Sequence, residues 1–172
     1  MQKEQSFETF PLRIVVITTT VAISIYALGV YVLLGFGVVA AVLYGLYCLA
    51  VEGLVLKRSC TNCYYYGKRC GLARGTLCAV LFKKGDPRKF VERDVSWTDM
   101  VPDFLVVLLP IAGGIVLSIR DFAWLRVAAL VLLVLLSFVG NAVSRGMFAC
   151  RYCKQREIGC PAPTLFGVES VD

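Results

Sequence analysis

Six cysteines form two copies of one figure, Cys60-x2-Cys63-x6-Cys70 and Cys150-x2-Cys153-x6-Cys160, at a constant offset of 90 residues. Thiolates are soft metal ligands, nucleophiles and redox groups. A Cys-x2-Cys turn lets two of them converge on one ion, and two facing turns supply four sulfurs for a tetrahedral site. Cys60, Cys63, Cys150 and Cys153 can therefore close on one zinc ion, and all six can hold two. The favoured cofactor is zinc. The competing one is an iron–sulfur cluster, also held by cysteine thiolates, because the "GCPAP" ending the second figure has the Cys-Pro join of ferredoxin-type motifs. Cys78 follows Cys70 after seven intervening residues, so Cys60, Cys63, Cys70 and Cys78 could supply four ligands alone and leave the tail with three. Apolar residues follow Cys78 directly, and Cys48 stands between Tyr47 and Leu49, so both also read as small packing residues.

The spacing within each figure resembles that of the binuclear zinc cluster of fungal transcription factors. In those proteins six cysteines hold two zinc ions with two bridging sulfurs. The resemblance covers the six cysteines alone. Here 79 residues and two apolar spans separate the halves, so DNA binding is not carried over. The chain is also similar in outline to four-helix membrane oxidoreductases, which place Cys-x2-Cys pairs at helix ends and pass electrons between dithiols and quinone. Those enzymes act on the oxidising face, the opposite side from the one deduced below.

Other chemistry is excluded by what is missing. The chain has no histidine, which rules out histidine-ligated haem, a Rieske centre, a histidine–zinc catalytic site and a Ser–His triad. Neither Gly-x-x-x-x-Gly-Lys-Ser/Thr nor Gly-x-Gly-x-x-Gly occurs, so nucleotide binding has no motif to rest on.

The cysteine figures must be positioned by apolar elements. Of the 172 residues 58% are hydrophobic and 17% charged, and the mean hydropathy is +0.74. The apolar residues come in four blocks, Leu12–Leu34, Gly35–Leu56, Phe104–Ile119 and Phe122–Val143. A span needs about 20 apolar residues, so the third block requires Val101–Asp103 to reach full length. Backbone groups in lipid must be satisfied within the segment, which makes these helices. The first is too long for a signal-peptide core and is expected to remain in the mature protein. The expected fold is an all-α membrane protein of two parallel helix-hairpin repeats, each followed by a cysteine motif and related by a pseudo-twofold axis along the membrane normal. Its parts are an N-terminal segment (1–11), hairpins 12–56 and 101–144, a basic cysteine-rich loop (57–100) and a cysteine-rich tail (145–172). Pro11 and Pro102 are expected to head the first and third helices. Small residues at Gly37, Ala41 and Gly45, and at Gly140 and Ser144, suit close helix packing.

Sixteen of the 18 basic residues lie near the N-terminus (Lys3 and Arg13), in the Lys57–Met100 segment or at the C-terminal end. Lys and Arg mark the cytoplasmic side. Both termini and both cysteine motifs are thus expected in the cytoplasm, where thiols stay reduced and metal or redox chemistry displaces disulfides. Lys57, Arg58, Lys68, Arg69, Arg151, Lys154 and Arg156 flank the ligands and can partly neutralise a cluster. Glu52 and Asn141 lie near the cytoplasmic ends of helices two and four. Glu52 reads as an anchor paired with Lys57, Arg58 or Arg145, ahead of a role in proton or ion transport.

The stretch "LFKKGDPRKF" suits a short helix on an anionic leaflet, turning at Gly85-Asp86-Pro87, with Lys83, Lys84, Arg88 and Lys89 at the surface and Trp97 at the interface. A solvated connecting loop is the competing reading. Expected partners are the bilayer, anionic lipid head groups, and other membrane subunits or a second copy. Nucleic acid is not expected, because the membrane accounts for the basic charge. The leading function is a membrane scaffold or complex subunit stapled by a cysteine–metal cluster. An iron–sulfur electron-transfer subunit comes second and a dithiol redox enzyme third.

Overall fold

The computed structural model describes residues 6–92 and 96–160, and these are all helix, turn and loop with no strand. The helices are α1 (Leu12–Leu33), α2 (Val38–Arg58), α3 (Arg74–Leu81), α4 (Arg88–Val91), α5 (Trp97–Arg120), α6 (Trp124–Leu135) and α7 (Lys154–Ile158). α6 continues through wider π turns at Leu136–Gly140 and Val143–Cys150.

Four helices are long and apolar enough to span a membrane: Leu12–Phe36, Val38–Asn62, Trp97–Arg120 and Trp124–Cys150. The 22 residues of α1 rise about 33 Å at ~1.5 Å each, against a hydrocarbon core of about 30 Å. Their outward faces are apolar: Val39 is 74% exposed and Leu125 70%. Such a belt suits lipid, where helices associate through packing and small residues rather than by hiding apolar surface from water.

α1 packs against α2, α5 and α6, and α5 likewise contacts α1, α2 and α6. The link from α1 to α2 is a 3-10 turn, Leu34–Phe36, closed by Gly37 at φ 115°, a left-handed conformation that favours glycine. At α5–α6 the Arg126 guanidinium donates to the carbonyls of Leu117 (3.1 Å) and Asp121 (2.6 Å), closing the C-terminus of α5.

α5 begins at Trp97, so Pro102 lies inside the helix with Pro110 and does not head it. A helix-interior proline lacks the N–H that the carbonyl four residues earlier needs. For Pro110 that carbonyl belongs to Val106, and the buried Tyr44 hydroxyl of α2 donates to it at 2.7 Å. Gly29 of α1 makes room, since a Cβ there would run into the Tyr44 ring. Backbone groups at membrane depth need such partners. Tyr44→Phe is therefore expected to cost about 1–2 kcal/mol, seen as a lower thermal midpoint in detergent. Tyr31→Phe, on the exposed surface, is expected to change nothing measurable.

α1 starts, α2 ends, α5 starts and the fourth span ends at one end of the bundle. There residues 6–11, 59–92 and 151–160 pack on one another. Phe10 N–H donates to the Arg69 carbonyl at 3.0 Å, and the buried Thr18 hydroxyl reaches the Gly71 carbonyl at 2.5 Å. A Cβ at Gly71 would meet Ala149 and Phe10, so this loop wedges between the start of α1 and the end of the fourth span. The helix expected over "LFKKGDPRKF" is displaced. α3 stops at Leu81, and only the single turn α4 follows the Gly85-Asp86-Pro87 bend. Asp86 makes that bend, its carboxylate accepting from the Arg88 N–H at 3.0 Å and its carbonyl from the Lys89 N–H at 3.1 Å.

Candidate metal centre

The two cysteine motifs are built by the same local bonds. After α2, a 3-10 turn (Cys60–Asn62) brings the Cys63 N–H to the Cys60 carbonyl at 3.3 Å. At the end of the fourth span the Cys153 N–H meets the Cys150 carbonyl, also at 3.3 Å. The next turn repeats too, Tyr66 N–H to Cys63 at 3.0 Å and Arg156 N–H to Cys153 at 3.1 Å. Cys63 has φ −81° and Cys153 φ −82°.

The motifs then dock on each other. Tyr64 N–H donates to Oε1 of Gln155 at 2.7 Å, and Lys154 N–H donates to the Tyr65 hydroxyl oxygen at 2.9 Å. Both donors directly follow a cysteine, and both acceptor side chains belong to the next residue of the opposite motif. Tyr65 and Gln155 are buried, so these bonds are sheltered from water.

An N-terminal strap, which carries no cysteine, holds the pair. Phe7 lies beside Cys153 in an isolated parallel bridge; its N–H donates to the Tyr152 carbonyl at 3.0 Å and its carbonyl accepts from the Tyr65 hydroxyl at 2.5 Å. The Phe7 ring packs on Phe10 and Tyr152 at centroid distances of 5.6 and 5.1 Å. The Glu8 carboxylate accepts from the Tyr64 hydroxyl of one motif and Lys154 of the other. Sequence reasoning passed over this strap and the Tyr64-Tyr65-Tyr66 run. The available signal was aromatic residues gathered beside the first motif and just ahead of the first span. Tyr65→Phe removes one donor and one acceptor. It is expected to speed amide exchange at Lys154 about tenfold, the equivalent of ~1.4 kcal/mol.

All eight cysteines are free. Burial pushes the Cys63 thiol up, opposed by the backbone N–H groups of Tyr65 and Tyr64. Burial pushes Cys153 up to about 12, opposed by the N–H groups of Gln155 and Arg156. Gly75 N–H donates to the Cys70 sulfur at 3.3 Å. Cys63 lies within electrostatic reach of Cys70 and Cys160, Cys60 of Cys63 and Cys70, Cys153 of Cys63 and Cys150, and Cys150 of Cys160. Cys78 lies within the same reach of Cys60 and Cys70, so these seven share one neighbourhood. Among the described residues, however, no group of three or more candidate ligands is close enough to hold an ion.

Cys78 and Cys48 are the two cysteines that are buried. Cys78 is fully buried in α3, with its S–H aimed at the Leu56 carbonyl at 3.5 Å. Cys48 packs in the core with Tyr44, Val51 and Val106. Arg74 acts electrostatically on Cys60, and Arg145 and Arg156 on Cys150; neither Arg74 nor Arg145 was among the cations the sequence placed beside the ligands. Glu52 pairs with Arg74 at the start of α3 and accepts from the Tyr26 hydroxyl, so its partner is none of Lys57, Arg58 and Arg145. Lys83, Lys84, Arg88 and Lys89 are all exposed. No family model matches the chain, and neither a curated protein nor a solved structure matches it.

Proposed function

We propose that the chain is an integral-membrane scaffold or complex subunit. In this reading its two motifs close on one cysteine-ligated metal site, with zinc favoured. The reciprocal bonding of the motifs, Tyr64 to Gln155 and Lys154 to Tyr65, carries the reading. Each donor and each acceptor maps onto its counterpart at the same 90-residue offset as the cysteines. A pseudo-twofold axis between α1 and α5 accounts for this, and also for the way α2 and α6 each contact both central helices.

Thiolates are the donors a thiophilic ion takes, and the motifs would have to draw their sulfurs closer together than they lie to bind one. Backbone N–H groups aimed at sulfur favour the thiolate, and a dication supplies the charge that burial otherwise disfavours. Cys60, Cys63, Cys150 and Cys153 would hold one ion, and Cys70 and Cys160 would complete a second. Cys78 is occupied by packing and its bond to Leu56. When bound, such an ion joins the two halves of the bundle covalently. An all-thiolate site leaves no open coordination position, so its role is structural.

Dithiol catalysis is less well supported, since a reactive thiol needs a lowered pKa and both Cys63 and Cys153 are raised. The motif-bearing end also carries most of the basic residues, which supports placing it in the cytoplasm. The test is elemental analysis and a visible spectrum of protein purified anaerobically in detergent. One or two zinc ions per chain and no colour are expected. Iron with acid-labile sulfide and a brown spectrum would make this an electron-transfer subunit, and absence of metal would overturn the reading.

A further inference from the structure

A second feature at the same end of the bundle owes nothing to the thiols. Lys57 and Arg58 in the last turn of α2, Asn62, Lys89 of α4 and Asp99 in the first turn of α5 line a shallow, open cavity of about 370 Å³. Among the described residues the lining carries three cations and one carboxylate, and Asp99 lies 3.4 Å from Arg58. The cavity lies between the last turn of α2 and the first turn of α5, the helix that Trp97, 60% exposed, begins.

We propose that this cavity seats the phosphate head group of an acidic phospholipid. Basic pockets between spanning helices are suited to phosphate head groups, and an amide such as Asn62 adds donors for phosphate or glycerol oxygens. The neighbouring surface specifies a lipid rather than a dissolved anion. On α3, Leu77, Val80 and Leu81 are exposed at helical spacing, while Gly75 and Cys78 face inward against Tyr65, Lys68 and Leu56. That apolar stripe leads directly into Lys83, Lys84 and Arg88, all exposed. Apolar side chains beside a cluster of cations form the profile of a segment lying in the head-group layer. The acyl chains of a lipid held at the cavity would run along α2 and α5, whose outward faces are apolar.

The test is retention of phosphatidylglycerol by the full chain extracted in mild detergent from mixed phosphatidylcholine and phosphatidylglycerol vesicles, counted by mass spectrometry. Enrichment of phosphatidylglycerol over its share in the vesicle is expected, weakening as salt rises. Each cation near the surface contributes about a fivefold preference, so Lys57→Gln with Lys89→Gln should lower enrichment at least tenfold. Lys89→Gln alone, at an exposed position on α4, should lower it about fivefold should the double variant fail to fold. Arg120→Gln, at the opposite end of α5, should leave it unchanged. Equal retention in the double variant and Arg120→Gln would overturn the proposal. So would displacement of the lipid by soluble glycerol phosphate, which would mark a free-anion site. A loss seen only with Lys83→Gln and Lys84→Gln would leave a diffuse surface in place of a pocket and would equally overturn it.

Discussion

With the proposed metal site shared between the motifs, Cys63→Ser is expected to lose the metal and to melt about 10 °C below the parent protein, and Cys153→Ser to match it on both counts. Thiolate zinc sites contribute roughly 10–16 kcal/mol of apparent binding energy in small peptides. Losing even about 3 kcal/mol would move the midpoint of a chain this size by about 10 °C. The double variant should be no worse than either single one, because two ligands of one site act as a unit. Independent sites would add their losses. Cys48→Ser, in the core beside Val51, should keep the metal. Cys78→Ser should also keep it and lose only packing; loss of all metal there would put the site within the loop rather than across both motifs. Each is checked by elemental analysis and a melting curve on the same sample.

Arg74→Met is expected to destabilise the chain by about 3–5 kcal/mol and to release α3 to proteases. The Arg74 guanidinium meets the Glu52 carboxylate, with side chains only 16% and 24% exposed. Removing one partner leaves an uncompensated charge inside the bundle, which costs far more than the pair itself contributes. The Tyr26 hydroxyl would remain as a neutral partner of Glu52. Changing Glu52→Gln together with Arg74→Met should recover most of the loss, since the amide can keep the bond to Tyr26 and no charge is stranded. A single variant that melts with the parent would show that α3 is held by Gly75 and Cys78 alone. The pair also matters for the thiols, because the Arg74 charge favours the Cys60 thiolate against the effect of burial.

The spanning helices were legible because length and hydropathy are local properties, and lipid leaves the backbone no alternative to a helix. Their ends were not. The third block appeared to begin at Val101 because Pro102 reads as a helix start, yet α5 opens five residues ahead of that proline. A proline inside a span is tolerated when a neighbour can serve the freed carbonyl, and Tyr44, 62 residues away from Val106, has no local signature of doing so. The start of α3 is similar. Ala73 at φ 60° turns the chain into the helix, a left-handed conformation unusual for alanine that only tertiary contacts can hold.

The candidate site divides along the same line. Cysteine spacing is visible in sequence, as is the offset between its copies. That Gln155 would reach the Tyr64 N–H, or Phe7 lie beside Cys153, depends on how three segments fold over one end of a bundle. Arg74 was hidden among ten basic residues of the Lys57–Met100 segment, all of them explicable by membrane topology. Only packing separates the one turned inward to Glu52 from those left at the surface.

The most direct measurement is X-ray absorption at the metal edge, on the parent protein and on Cys153→Ser in the same detergent. Four sulfur neighbours at about 2.3 Å around zinc are expected in the parent, with that shell lost in the variant, because neither motif alone provides four cysteines. A full sulfur shell that survives in Cys153→Ser, or nitrogen and oxygen neighbours in the parent, would contradict a site shared between the two motifs.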